Sequence, residues 1–257
     1  MPIESDSENP FSSLDFKVRE DLQEASRRYR QWLSGPGEWW TGAERVAMVK
    51  ETRRGWDCLL CARKKEALSP KSIAENHLAN PPLASKVVEA IHRIVTDPSR
   101  LSEAWVRELK QDAFSYPEIV ELIGVVTMGI AIDYLFWGLG AAPPALPEPR
   151  SGNPAPGEPQ DSGLYTAWVP TTIPEKAVGK LKTFYDAAAN PAGGVVHIMQ
   201  ALSLTPETLV AFYDLAAVIY LPPGKVSNPG GQTGRAITRP QIELLAATVS
   251  AANACRY

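Results

Sequence analysis

Apolar residues recur along much of this chain at the alternating three- and four-residue steps that put them on one side of an α-helix. Val18, Leu22, Ala25, Tyr29 and Leu33 form such a stripe and predict a first helix over 16–33, with Ser13 or Asp15 as its cap. After the Gly35-Pro36-Gly37 break the pattern resumes over 42–54. There Val46 and Val49 are expected inside, Glu44, Arg45, Lys50 and Glu51 outside, and Gly55 as the stop. Asp57 is the expected N-cap of a third helix that carries Cys58-Leu59-Leu60-Cys61 in its first turn. Further helices are predicted over 84–95, 99–112 and 117–137, then over 175–189, 195–202, 206–220 and 240–255. No run sustains the two-residue alternation of a strand, so the expected fold class is all-α.

The helical pattern is interrupted by Pro143, Pro144, Pro147, Pro149, Pro154, Pro156 and Pro159, mixed with Gly and Ser. That density of proline forbids a helix and favours an extended connector. The expected organisation is a flexible N-terminus over 1–14, a helical half over 15–142, the connector over 143–163 and a second helical half over 164–257. Pro222-Pro223-Gly224 and Asn228-Pro229-Gly230-Gly231 predict an exposed loop within the second half.

Composition narrows the setting. With 257 residues, 44% hydrophobic and 21% charged, the chain has the make-up of a globular protein with a core. Its net charge of −3, with acidic and basic residues balanced beyond Pro143, does not suit a nucleic-acid partner. The start, MPIESDSENPFSS, has neither a basic nor an apolar signal region, and the 3 cysteines are too few for a disulfide framework, so a cytoplasmic location is expected. The stretch 122–142 resembles a membrane span interrupted by Asp133. A charge at the bilayer centre costs about 3 kcal/mol, so a buried core helix, and no membrane partner, is the expectation.

The strongest local chemical signal is the Cys-x-x-Cys at Cys58 and Cys61. At a helix start the unpaired amides and the dipole favour a thiolate, and a second sulfur one turn away can resolve an oxidised one into a disulfide. Arg53, Arg54, Arg63, Lys64 and Lys65 surround the pair, and Lys65, four residues after Cys61, shares its helical face. Zinc is a competing use of these thiols. His77 and His92 lie fifteen residues apart, outside the usual His-x3–5-His spacing, so a zinc site would need the fold to bring them in. Glu89 and His92 form a Glu-x-x-His turn of the kind di-iron bundles use, and Glu121 and Asp133, with His77, could complete an iron or manganese site. The alternative is an ion pair of Asp133 with Arg93 or His92 that holds two helices together. Gly230-Gly231-Gln232-Thr233-Gly234 lacks a phosphate loop's Gly-Lys-Ser/Thr, and neither Gly-x-Ser-x-Gly nor His-Glu-x-x-His occurs. His197 is expected to be a satisfied core or interface histidine.

Residues 237–257 resemble the alkylhydroperoxidase D and carboxymuconolactone decarboxylase superfamily, in which a helix opening with glutamate leads, after eleven residues, into Cys-x-x-Cys-x-x-x-His. Glu243 and Cys255 have that spacing. Residues 197–209 are similar to the helix that precedes the motif in the peroxidase-related branch. The given sequence stops at Tyr257, before the second cysteine and the histidine would stand, so the motif is expected either to be completed beyond it or to be a scaffold. In the first half Cys58-Leu59-Leu60-Cys61 resembles the thiol pair and 114–140 the long helix after it. Lys65 stands where the family has histidine, and Glu44 or Glu51 lies at another distance before Cys58.

The resemblance implies two related helical halves in one pseudo-symmetric unit, a homo-oligomer, and a peroxidase-type antioxidant oxidoreductase. Cys61 would attack a peroxide or other small organic substrate and Cys58 would resolve it. An external dithiol would be the reductant, with no cofactor and with a relay that lacks a member. Glu51, Lys65, Glu243 and Cys255 are the remaining catalytic candidates. A metal-dependent oxygenase or oxidase built on Glu89, His92, Glu121 and Asp133, and a non-catalytic assembly protein with a degenerate site, are the alternative expectations.

Overall fold

Helix boundaries follow local chemistry where the sequence supplies a cap. Thr41 starts α2 (Gly42–Gly55) with a reciprocal capping box. Its hydroxyl accepts the Glu44 N–H at 3.2 Å while the Glu44 carboxylate accepts the Thr41 N–H at 2.9 Å. Ser115 and Glu118 do the same for α6 (Tyr116–Gly138), with Pro117 in its first turn. In the computed structural model, residues 10–255 are described except 13, 112–113, 166, 227–229 and 231, and the described residues contain no strand.

The remaining helices are α1 (Glu20–Ser34), α3 (Leu59–Glu66), α4 (Ser85–Thr96), α5 (Glu103–Gln111), α7 (Gly179–Ala188), α8 (His197–Gln200), α9 (Pro206–Ile219), α10 (Pro223–Val226) and α11 (Arg239–Ala252). The all-α expectation is met, with several boundaries displaced. α1 starts at Glu20 behind Arg19, without a side-chain cap, so Asp15 does not cap it; Ser13 lies outside the described residues. Cys58, and not Asp57, is the N-cap residue of α3. Pro98 imposes a separate 3₁₀ turn, Pro98–Arg100, which delays α5 to Glu103. The turn Pro174–Lys176 precedes α7, which opens at Gly179 with φ +55°. The expected loop around Pro222 contains the single turn of α10.

α6 is the central element. Ile119, Leu122, Val125, Val126, Met128, Ile132 and Phe136 join the main apolar cluster with α1, α2 and α4, while its Val120 joins a second cluster with Leu181, Tyr185, Met199 and Leu209. Close approach needs small residues at two points on this helix. A Cβ on Gly124 would lie 2.5 Å from Thr208 Cγ2, and one on Gly129 would lie 3.0 Å from Val49 Cγ1. By length and composition α6 could cross a membrane, yet 67% of its most apolar window is buried inside the protein. That matches the core-helix expectation.

The proline-rich connector is extended, and it is tied down. The Arg150 N–H donates to Ser34 O at 2.7 Å and the Ala155 N–H to Gly37 O at 3.0 Å, which straps it across the corner between α1 and α2. Packing also buries two groups expected at the surface, Arg45 at that corner and Glu51 farther along α2. Arg45 is 1% exposed, stacked 3.5 Å over the Trp32 ring and 3.8 Å from the Glu121 carboxylate, and Glu51 points inward toward α4. A capped helix whose inner face faces a carboxylate on α6 can hold a guanidinium that a polarity pattern assigns to solvent.

Candidate metal centre

Cys58 and Cys61 enter the site from the start of α3, as the N-cap and third helical residues. The end of α3 is held against α4 and the turn after it by Arg100, whose guanidinium donates to Lys64 O and Lys65 O at 2.9 Å and to Ala67 O at 2.8 Å. These are carbonyls a helix C-terminus leaves without intrahelical partners. His77 comes from the segment between α3 and α4, and His92 from the buried face of α4.

The four side chains meet. His77 Nε2 lies 3.3 Å from both Cys58 Sγ and Cys61 Sγ, and His92 Nδ1 lies 3.1 Å from Cys61 Sγ. One ligand atom from each residue falls within 4.8 Å of the others, and the two rings are 4.0 Å apart. Cys61 and His92 are buried, Cys58 and His77 half-buried.

A carboxylate backs each imidazole. His77 Nδ1 is 2.5 Å from Glu89 Oε2, which also accepts the His77 backbone N–H, and Lys64 donates to the same carboxylate at 2.5 Å. His92 Nε2 is 2.9 Å from Glu51 Oε1, and Asn80 and Arg54 hold the other oxygen of Glu51. Such pairs set the tautomer: when the far nitrogen gives its N–H to the carboxylate, the near nitrogen turns a lone pair inward. Two lone pairs and two sulfurs then converge. Zinc at ~2.3 Å from sulfur and ~2.0 Å from nitrogen requires S···N edges of about 3.5 Å in a tetrahedron, close to the spacing here.

Electrostatics agree with this geometry. Burial opposes ionisation of Cys58, but the Cys61 amide, the His77 ring and the Cys61 thiol outweigh it and hold Cys58 below its ordinary range. Burial likewise opposes charge on His77, yet its contacts to Cys61, Glu89 and Cys58 push it up to about 10, and Glu89 is held down to about 2, against its own burial, by His77 and Lys64. Burial lowers His92 against the pull of Glu51. Without a cation His77 would hold a proton among these sulfurs; a divalent ion would take the place of that charge.

The structure therefore brings together Cys58, Cys61 and Glu51 of the expected catalytic residues, and it adds His77 and His92 as their direct partners. The Glu-x-x-His turn of α4 is present, with Glu89 behind a histidine. Glu121 and Asp133 are engaged elsewhere. Glu121 accepts the Trp39 N–H at 2.6 Å beside Arg45, and Asp133 takes a two-pronged contact from Arg53 at 2.8 and 2.9 Å, so the ion pair expected for Asp133 forms with Arg53. Glu243 accepts from the Tyr220 hydroxyl at 2.7 Å and pairs with Arg239. Lys65 and Cys255 line the cavity that Cys58 and Cys61 also border. His197 is exposed at the start of α8, not a core residue.

Local spacing does not show the pairing of the cysteines with both histidines, since the fold alone brings His77 and His92 to them. A legible signal was present: His92 lies on the face of the 84–96 stripe that carries Val88, Ile91 and Val95, and is therefore directed inward. No protein-family model, curated protein or solved structure significantly matches this chain.

Proposed function

We propose that Cys58, Cys61, His77 and His92 bind one zinc ion, and that this centre clamps α3 and the 67–84 segment onto α2 and α4. The observation that carries the reading is the orientation of both imidazoles: Glu89 and Glu51 occupy the outer nitrogens, which leaves four electron-pair donors aimed at one point. Two thiolates and two neutral imidazoles suit zinc, a borderline-soft ion, better than the oxygen-preferring cations. Four protein ligands fill a tetrahedron and give the ion a structural role. Protein purified without chelator is expected to hold one zinc per chain, and His77→Ala and His92→Ala to lose it. Absence of bound zinc, together with failure to take it up on reconstitution, overturns the reading.

A second reading is supported by the contact of Cys61 with His92, whose outer nitrogen is held by Glu51; the pair could supply the relay member that the family resemblance lacks. In metal-free protein the Cys61 thiolate would attack the peroxide O–O bond, giving a sulfenic acid and an alcohol. The Cys58 thiol would then condense with it, releasing water and forming the disulfide, and an external dithiol would return two electrons and two protons. Peroxide consumption by zinc-free protein with dithiothreitol, abolished in Cys61→Ser, is the expected result; equal turnover in that variant refutes it.

A further inference from the structure

One stripe of α6 is only partly covered by the protein: Ile123, Thr127 and Ile130 are half-buried and Tyr134 is exposed. Ile123, Thr127, Ile130 and Tyr134, spaced by four, three and four residues, face a cavity of about 1440 Å³. Its other walls are the Cys58/Cys61/Lys65 face of α3, with Trp56, Ile94 and Val95, and Trp168 and, from α11, Val249 stand at its open side. The volume exceeds the roughly 300–1,000 Å³ usual for small-molecule sites, and the walls are mostly aliphatic and aromatic. An apolar stripe next to such a space gains stability from an apolar occupant at about 25 cal/mol per Å² removed from water.

The charge at the rim narrows the occupant. Lys65 lines the cavity, and among the described residues its ammonium has no ion-pair or hydrogen-bond partner, whereas its neighbours Arg63 and Lys64 are paired with Glu75 and Glu89. No Asp or Glu stands among the described lining residues. We infer that this cavity binds an amphiphile with one long hydrocarbon chain and one carboxylate, the chain along the α6 stripe and the carboxylate at Lys65. The site goes beyond the zinc centre, since its walls and its cation need no metal, although the ligand would lie against the sulfur side of the cluster.

The test is calorimetric binding of dodecanoate, below its micelle concentration, to the full zinc-replete chain, with dodecylammonium as the opposite-charge probe. Expected are saturable one-to-one binding of dodecanoate, weakening of about tenfold or more in Ile130→Trp, which sets a bulky ring in the middle of the stripe along which the chain would lie, and weakening of about threefold in Lys65→Glu. Lys65→Glu should at the same time gain affinity for dodecylammonium. Val249 is 61% exposed, so Val249→Asp should leave the fold intact and also weaken dodecanoate, which guards against misfolding of Ile130→Trp. The inference is overturned by absence of saturable binding, by binding that Ile130→Trp and Val249→Asp leave unchanged, or by indifference of both probes to Lys65→Glu. A dimer that buries this face and takes up no dodecanoate would assign the cavity to a second copy. Zinc content measured on the same samples separates failure here from failure of the metal reading.

Discussion

Raising the pH from 5 to 8 should weaken this fold through Glu121. Its carboxyl is fully buried on α6, accepts the Trp39 N–H at 2.6 Å and has Arg45 at 3.8 Å, beyond hydrogen-bond reach. Burial outweighs both the Arg45 charge and the surrounding amides and pushes Glu121 up to about 7 from an ordinary 4.5. Between those two values the native protein keeps a proton that the unfolded chain releases. The stabilisation is thus complete below pH 4.5 and is lost as the pH climbs through 7. At ~1.36 kcal/mol per pH unit the gap corresponds to about 3 kcal/mol, a large share of a typical folding free energy of about 5–15 kcal/mol.

Glu121→Gln keeps an acceptor for Trp39 and removes the titration. Urea unfolding at several pH values should show the parent protein losing about 3 kcal/mol relative to the variant across this range. Glu38, itself pushed up to about 7 mainly by burial with Glu121 adding to the effect, contributes with the same sign. Subtracting the two profiles removes the titration of the cysteine–histidine cluster, common to both proteins. Parallel profiles, or a parent protein that gains on the variant as the pH rises, would refute the reasoning.

Glu51→Gln should weaken zinc binding about 10- to 100-fold by loosening His92, measured by competition with a chromophoric chelator; an unchanged affinity removes Glu51 from the site. Phe136 is fully buried and stacked 4.7 Å from Phe11, so Phe136→Ala should cost about 3–5 kcal/mol in urea unfolding. Arg53→Met strips the partner from the buried carboxylate of Asp133 and should cost about 3–5 kcal/mol, most of it recovered when Asp133→Leu is added; no recovery in the double variant would contradict the pairing. Gly37→Ala places a Cβ 1.8 Å from Glu121 Oε1, and a lowered melting temperature is the expected outcome.

Local sequence determined the helical class, the place of most helices and the extended connector, because helix periodicity, capping boxes and proline act over a few residues. It also marked Cys58 and Cys61 as a candidate centre. The partners of that centre were decided by tertiary packing. His77 and His92 are separated by a fifteen-residue interval that is not a helical repeat, and they meet only because α4 lies against α2 and Arg100 pins α3 beside it. Packing likewise turned Arg45 and Glu51 inward and gave Asp133 to Arg53. A polarity pattern registers which residues avoid water; it carries no information about which buried charge will meet which counter-charge, since that depends on contacts between helices far apart in the chain.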